Sequence, residues 1–152
     1  MKPCARAVLV IGLLSFATLG IAADASWISL FPSGSEAILR EEGAAVWTRQ
    51  ADFIVGAAAD PAIERLSGRG ITPAAEFPDS GQWLYLLHHR SGFVPPQATG
   101  ASIYRLTPEI DLYLFPAGTS VELPRVKPYA GFQAIPRVPL PPRVPHPADL
   151  AT

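Results

Sequence analysis

The sequence predicts an α+β fold for the middle of the chain, and three observations lead to this prediction. Short runs of strand-forming residues alternate with two short amphipathic segments that carry helix-start signals. Further extended patterns without helical periodicity follow them. The chain also begins with a secretion-type segment and ends in a proline-rich one, which leaves residues 26–123 as the predicted α+β domain.

Residues 1–25 have the three parts of a secretory signal peptide. Lys2 and Arg6 form the positive start, an apolar run follows, and small residues allow cleavage after Ala25 or after Ala22. The apolar run falls slightly short of the ~20 residues that a retained membrane anchor needs. We therefore predict a secreted or periplasmic protein with no stable membrane anchor after cleavage.

Removal of the signal peptide also settles the thiol and charge content of the mature chain. The single cysteine, Cys4, lies ahead of the apolar run, so the mature chain has no thiol for disulfides or thiolate metal sites. Losing two positive charges and one negative charge takes the net charge from −1 to −2. Such a nearly neutral chain has no basic stripe for nucleic acid and no polybasic tract for anionic lipid.

The first predicted strand covers residues 27–31, which are apolar and rich in strand formers. A short helix is expected next, because Ser33 and Glu36 have the spacing of a capping box and Gly43 supplies a stop. Residues 45–48 and 53–55 then predict two strands that meet at a turn.

A second short helix follows, with Asp60 as the expected N-cap and Pro61 at the first helical position. Gly68 and Gly70 are expected to end it. Residues 71–77 are extended again and close in a turn at residues 78–81.

This order is strand, helix, strand, strand, helix, strand, and the two halves resemble each other at a spacing of about 26 residues. Each helix is too short to be stable alone, so both must lie on one face of a shared sheet. The apolar side chains that this arrangement buries are Ile38, Leu39, Ile63 and Leu66. We therefore expect a ferredoxin-like βαββαβ sandwich built from a duplicated split βαβ unit. The alternative is that the self-similarity is chance in an alanine-rich sequence.

Four further extended segments predict additional C-terminal antiparallel strands. They cover residues 83–88, 102–106, 111–115 and 120–123. These strands can either extend the first sheet or form a small second one.

From Pro124 to Thr152 the composition changes to a proline-rich stretch that reads as a linker or tail. The prolines leave no room for a helix or a strand ladder, so a semi-extended polyproline form is expected. Because a spacer that tethers nothing is unusual, we expect the gene product to continue or to have lost a downstream domain.

No spacing of residues predicts a catalytic or metal site. Residues 88–90 hold the local concentration of imidazoles, but adjacent strand residues point to opposite faces of a sheet. His146 lies in the proline-rich tail without a partner of fixed position. The pair Glu41 and Glu42 is expected on a solvated helix face, since successive helix positions diverge by about 100 degrees.

The other candidates also have structural explanations. Turn chemistry accounts for residues 79–81, and a helix stop accounts for residues 68–70. Trp27, Trp47 and Trp83 each lie in an apolar run, which favours core or sheet-face positions over a sugar platform. We therefore predict no catalytic residue, no metal ligand and no cofactor in this chain, and do not expect it to be an enzyme alone.

One resemblance adds to this picture. Residues 51–57 through 63–71, followed by 83–87 and the proline-rich tail, resemble the amino-terminal region of secreted bacterial zinc aminopeptidases of the M28 family. The resemblance covers residues 26–150 and implies a noncatalytic, prodomain-like accessory module, whose partner is a peptidase catalytic domain in cis or in trans.

In that family the zinc ligands, which include a His-x-Asp pair and a Glu-Glu pair, belong to the catalytic domain. Here His88 is not followed by x-Asp, and the pair Glu41 and Glu42 precedes any such histidine, so no zinc ligand carries over. Small βαββαβ domains also resemble propeptides of secreted proteases, whose sheet packs on the enzyme as a chaperone or an inhibitor.

Two hypotheses of function follow from the sequence. In the first, the module docks a sheet face or an exposed edge strand onto a peptidase domain. In the second, the chain is a free-standing secreted or periplasmic binding protein that uses the strand face around Trp83, Tyr85 and Tyr104. The sequence leaves open the ligand, the oligomeric state and the cleavage site.

Overall fold

A computed structural model describes residues 25–142. The predicted signal peptide up to Asp24 and the tail from Arg143 onward, with His146, lie outside the described residues. The elements are β1 (Ser26–Pro32), α1 (Glu36–Glu41), β2 (Ala45–Arg49), β3 (Phe53–Ala59), α2 (Asp60–Gly68), β4 (Ala75–Pro78), β5 (Trp83–His89), β6 (Ser102–Thr107), β7 (Ile110–Phe115) and β8 (Ala130–Ala134). The predicted α+β class is confirmed.

The strands form two antiparallel sheets of four strands each. Sheet A has the order β2-β3-β1-β4, and sheet B has the order β6-β7-β5-β8. The C-terminal strands therefore build a second sheet and do not extend the first. Within residues 25–142, no helix has the length and apolar character to cross a membrane.

The core lies in three layers, one between the two sheets, one on the helix-covered face of sheet A and one on the outer face of sheet B. Between the two sheets, β1 and β3 side chains such as Ile28 and Val55 pack with Leu86 and Leu112 of sheet B. On the other face of sheet A, both helices share one apolar cluster, in which Leu39 and Leu66 are fully buried. The expectation that both helices pack on one face of a common sheet is confirmed.

The two helix starts differ in detail from the prediction. The N-cap of α1 is Ser35, whose hydroxyl donates to the carbonyl of Pro32 at 2.6 Å, so the expected capping box from Ser33 is wrong. Glu36 is not available for such a box because it pairs with Arg40 and Arg49.

Helix α2 begins one residue earlier than expected, because Ala59 is its N-cap and Asp60 lies inside the helix. The Asp60 carboxylate accepts a hydrogen bond from the Trp27 indole at 2.6 Å, which ties the start of α2 to β1.

Gly56 marks a close approach between two strands of sheet A. A Cβ at this position would lie 2.2 Å from the Ala45 carbonyl oxygen, closer than real Cβ contacts. The pairing of β2 with β3 shifts register nearby, between Val46 and Thr48. A side chain at residue 56 would therefore force the edge strand β2 away from β3.

The chain after β7 departs from the prediction in two places. No strand forms at residues 120–123, which lie in a loop over the outer face of sheet B. Instead β8 pairs with β5, so the expectation of no ladder from Pro124 onward is wrong for this segment. Ala130–Ala134 can join the sheet because it contains no proline.

After β8 the chain runs over one end of the inter-sheet core as a strap, residues 136–140. The Trp47 indole donates to the Val138 carbonyl at 2.8 Å, and Arg137 donates to Asp79 at 2.9 Å and to the Gln82 carbonyl at 3.0 Å. Leu140 packs against the inter-sheet core. The strap is therefore part of the folded body.

Candidate functional site

The two adjacent histidines point to opposite faces of sheet B, as the strand period predicts. The His88 ring lies 2.8 Å from the Gln133 side-chain oxygen, in a polar group that also contains Gln50 and Thr48. The His89 ring lies on the outer face, where it stacks on Phe93 at 5.2 Å. The structure thus separates the two imidazoles and gives each a hydrogen-bond partner.

A buried polar cluster on the outer face of sheet B joins three neighbouring strands. His89 Nε2 lies 2.5 Å from Asp111 Oδ2, and Arg105 Nε donates to Asp111 Oδ1 at 2.6 Å. The side chains of His89 and Asp111 are 0% and 1% exposed, whereas that of Arg105 is 46% exposed. The Asp111 charge is therefore matched inside the fold by partners from β5 and β6.

Side chains on the same face also bind the loop of residues 90–101, through hydrogen bonds to the main-chain carbonyl oxygens of that loop. Three side-chain donors, His89 Nδ1, Arg105 and the Tyr113 hydroxyl, bond to the carbonyl oxygens of Arg90, Phe93 and Pro96 respectively. A loop has no internal ladder for these oxygens, so donors from the sheet must satisfy them.

Tyr113 is fully buried on the outer face of sheet B. Burial, together with the nearby Asp111 carboxylate, raises the pKa of Tyr113 to about 12. The phenol therefore stays a hydrogen-bond donor to Pro96 throughout the neutral range.

The two members of the carboxylate pair that was predicted on a solvated helix face, Glu41 and Glu42, lie in different environments. Glu41 is exposed, but the side chain of Glu42 is 5% exposed and accepts from Arg65 at 2.9 Å and from Arg69 at 3.1 Å. The solvated placement is therefore wrong for Glu42. This residue follows α1 and pairs with two arginines at the C-terminal end of α2, so it locks the two helices together.

The remaining candidates have structural positions. Asp79 accepts from the Gly81 amide, as expected for a turn, and also from Arg137 of the strap. Trp47 is buried and Trp27 is partly buried, while Trp83 is 51% exposed.

The strand face proposed for ligand binding is not continuous. Trp83 and Tyr85 lie on the outer face of sheet B, in line with Tyr113, whereas Tyr104 pairs with Leu112 and shares the inner face. Tyr104 instead contacts Phe77 of sheet A, with ring centroids 4.7 Å apart. The expected grouping of these three aromatic residues is wrong because the register divides them between two faces.

Strand β6 is the exposed feature that best fits a binding surface. It is an end strand of sheet B, with β7 on one side and no strand on the other among residues 25–142. Ser102, Tyr104 and Arg105 are exposed along it, with Tyr104 on one face and Arg105 on the other. The unpaired side of β6 can accept an incoming strand.

In the described part of the chain, no group of three or more histidine, aspartate or glutamate residues is placed to hold a metal ion. The chain matches no protein-family model, and comparisons with curated proteins and with solved structures give no match.

Sequence reasoning missed the His89, Asp111 and Arg105 cluster, although one signal pointed to part of it. A hairpin that turns at Pro108 and Glu109 sets Arg105 directly opposite Asp111, and opposite charges at such positions favour pairing. His89 joins them only through the pairing of β5 with β7, which no local pattern specifies.

Proposed function

We propose that this chain is a noncatalytic accessory or prodomain-like module of an exported metallopeptidase, and that it acts by docking onto the peptidase domain. The observation that carries the proposal is the free edge of β6, which presents an aromatic side chain on one face and a cation on the other. Its unpaired main chain suits the addition of a strand from a partner.

The faces of the sheets are less suitable for docking than this edge. The helices cover one face of sheet A, and the two sheets cover each other's inner faces. Loops 90–101 and 116–129 lie over the outer face of sheet B. Of the two docking modes that the sequence suggested, the edge strand is therefore the one with exposed main chain.

The ionisable groups support a noncatalytic role because many of them hold the fold together. Glu42 joins the two helices, and Asp111 joins three strands. Buried carboxylates committed to such pairs are poor general acids or bases for an external substrate.

The partner chemistry follows from the side chains on β6. An incoming antiparallel strand would meet the Tyr104 ring on one face, which favours an apolar or aromatic neighbour. On the other face it would meet the half-exposed Arg105, which favours a carboxylate. We therefore propose a partner strand with one apolar and one acidic side chain at adjacent positions.

The finer fold assignment and the family connection belong to the same proposal. An antiparallel β2-β3-β1-β4 sheet with both helices on one face supports a ferredoxin-like split βαβ unit for residues 26–78. The resemblance to the amino-terminal region of M28 aminopeptidases suggests a peptidase catalytic domain as the partner. Zinc would be bound by that partner only. The signal-like residues 1–25 support export.

A second candidate, a free-standing secreted or periplasmic binding protein, is favoured by Trp83. Its ring is 51% exposed at the start of β5, on the same face as Tyr85. A ligand held there would not involve Tyr104, which lies on the opposite face.

The test is a binding and activity assay with the purified catalytic domain of a secreted M28 zinc aminopeptidase. We expect a complex by isothermal titration calorimetry and a change in hydrolysis of an amino-acyl arylamide. Tyr104→Lys should weaken binding about tenfold or more. Ser102→Lys, which leaves the contact with Phe77 intact, should also weaken it.

The matched control is Tyr129→Lys, because Tyr129 is 73% exposed in a loop away from β6. Equal binding by the Tyr104 and Tyr129 variants would contradict the edge as the docking surface. Arylamide hydrolysis by the chain alone with added zinc, abolished by a chelator, would overturn the noncatalytic role.

A further inference from the structure

A cavity of about 420 Å³ lies beneath the strap, at one end of the inter-sheet core. Its size falls within the range of sites for small ligands. Most of its wall is apolar, formed by Trp47, Ala57, Val138, Pro139 and Leu140. Trp47 and Ala57 belong to sheet A and are buried, so this part of the wall is continuous with the inter-sheet core.

The polar part of the wall consists of Ser26, Asp79 and Arg137. Asp79 and Arg137 carry opposite charges and are paired at 2.9 Å. The guanidinium of Arg137 also lies over the Trp47 ring at 5.0 Å, which fixes it beside the apolar wall. The cavity therefore combines an apolar body with one polar end that bears both charges.

Both charged groups keep hydrogen-bonding capacity after their contacts within the fold. Arg137 has five N–H donors, and its hydrogen bonds within residues 25–142 go from Nε to Gln82 and from one terminal nitrogen to Asp79. Asp79 Oδ1 accepts from Arg137 and Gly81, whereas Oδ2 has a long 3.4 Å contact with the Ser26 hydroxyl. A donor and an acceptor on one ligand can therefore be bound side by side.

Asp79 is ionised at neutral pH. Burial raises the pKa of Asp79. The hydrogen bonds from Arg137, the Gly81 amide and Ser26, together with the charge of Arg137, lower the pKa by more than burial raises it, so the net shift is downward. The polar end of the cavity then holds one negative and one positive charge, a dipole that matches a zwitterion and not an ion of either sign alone.

We propose that this cavity binds a free apolar amino acid. The ammonium group would contact Asp79 Oδ2, the carboxylate would contact the free terminal nitrogen of Arg137, and the side chain would lie against Trp47 and Leu140. The proposal does not depend on docking at β6, so the two can fail separately.

The test is isothermal titration calorimetry of the purified protein with L-leucine, N-acetyl-leucine and leucinamide. We expect saturable binding of L-leucine with a dissociation constant near or below about 1 mM. N-acetyl-leucine lacks the ammonium group and leucinamide lacks the carboxylate, so each should bind about tenfold more weakly or worse.

Asp79→Asn and Arg137→Gln should each weaken leucine binding about tenfold, with thermal melting used to confirm that both variants fold. Arg125→Gln is the matched control, because Arg125 is an exposed arginine outside the cavity. Failure of leucine to bind at about 10 mM would overturn the proposal. Equal binding of the three compounds, or unchanged binding in the Asp79 and Arg137 variants, would also overturn it.

Discussion

The outer faces of the two sheets are covered in different ways, by helices on sheet A and by loops on sheet B. The helices form main-chain hydrogen bonds within themselves, and apolar side chains such as Leu39 and Leu66 make most of their contacts with the sheet. The loop of residues 90–101 leaves carbonyls that His89, Arg105 and Tyr113 must satisfy. Sheet B therefore uses side chains of its own strands to satisfy the loop that covers it, whereas on sheet A the buried Glu42 carboxylate is paired with arginines at the C-terminal end of α2.

The largest expected effect tests the polar side of this comparison. Asp111→Ala leaves the buried His89 ring and the Arg105 guanidinium without their carboxylate, and we expect a loss of about 3–5 kcal/mol. Urea unfolding measures the change. The exposed Asp52→Ala should stay within about 0.5 kcal/mol of the parent protein. Similar values for the two variants would mean that the cluster does not hold the loop.

The apolar side is tested by Leu66→Ala on the buried face of α2. Leu66 is fully buried, so the lost contacts and the remaining cavity should cost about 3 kcal/mol. Because no charged group is removed, the pH dependence of stability should match that of the parent protein. A changed pH profile in this variant would contradict a purely apolar role for Leu66.

The third prediction concerns stability at alkaline pH, which we expect to depend on Tyr113 on the loop-covered face. The folded pKa of Tyr113 is about 12, above the ordinary tyrosine value of 10.0, so its contribution to stability is complete below pH 10 and is lost as the pH rises through 12. We expect a fall in unfolding free energy on the order of 2 kcal/mol across that interval.

Tyr113→Phe should reduce this fall in unfolding free energy at alkaline pH, called here the alkaline limb. The lost hydrogen bond to Pro96 should also cost about 1 kcal/mol at neutral pH. Tyr129→Phe should retain the limb, since Tyr129 is exposed. An unchanged alkaline limb in Tyr113→Phe would remove Tyr113 as its source.

The smallest expected effect concerns stability at acidic pH, which we expect to depend on Glu36 on the helix-covered side. Hydrogen bonds from Arg49 and Arg40 lower the pKa of Glu36 to about 2, so its contribution to stability is present above the ordinary glutamate value of 4.5 and is lost toward pH 2. Glu36→Gln should reduce the slope of stability in that interval, measured by thermal melting at a series of pH values. Solvent screening keeps the effect small, and added salt should reduce it further.

The sequence was sufficient for the elements with local signals. Residues 27–31 and 53–55 are apolar runs, and Pro61 with Gly68 brackets a helix, so these elements appear close to where they were expected. Both helices on one sheet face also followed, because neither can bury its apolar side chains alone.

The failures concern features that depend on distant partners. Strand β8 is weakly patterned and forms because β5 offers an edge, whereas residues 120–123 have a stronger strand pattern but pack as a loop. Arg137 lies 58 residues from Asp79, and no local rule pairs them. The candidate cavity and the polar cluster therefore could not be predicted from local patterns.

The strap brings the two ends of the described chain together, since Ser26 of β1 and Leu140 line one cavity. A short loop joining these ends, with a new opening at the exposed turn around Gly118, would give a circular permutant with the same sheets. The same geometry would let the whole unit be inserted into a surface loop of another protein without separating the two sides of that loop.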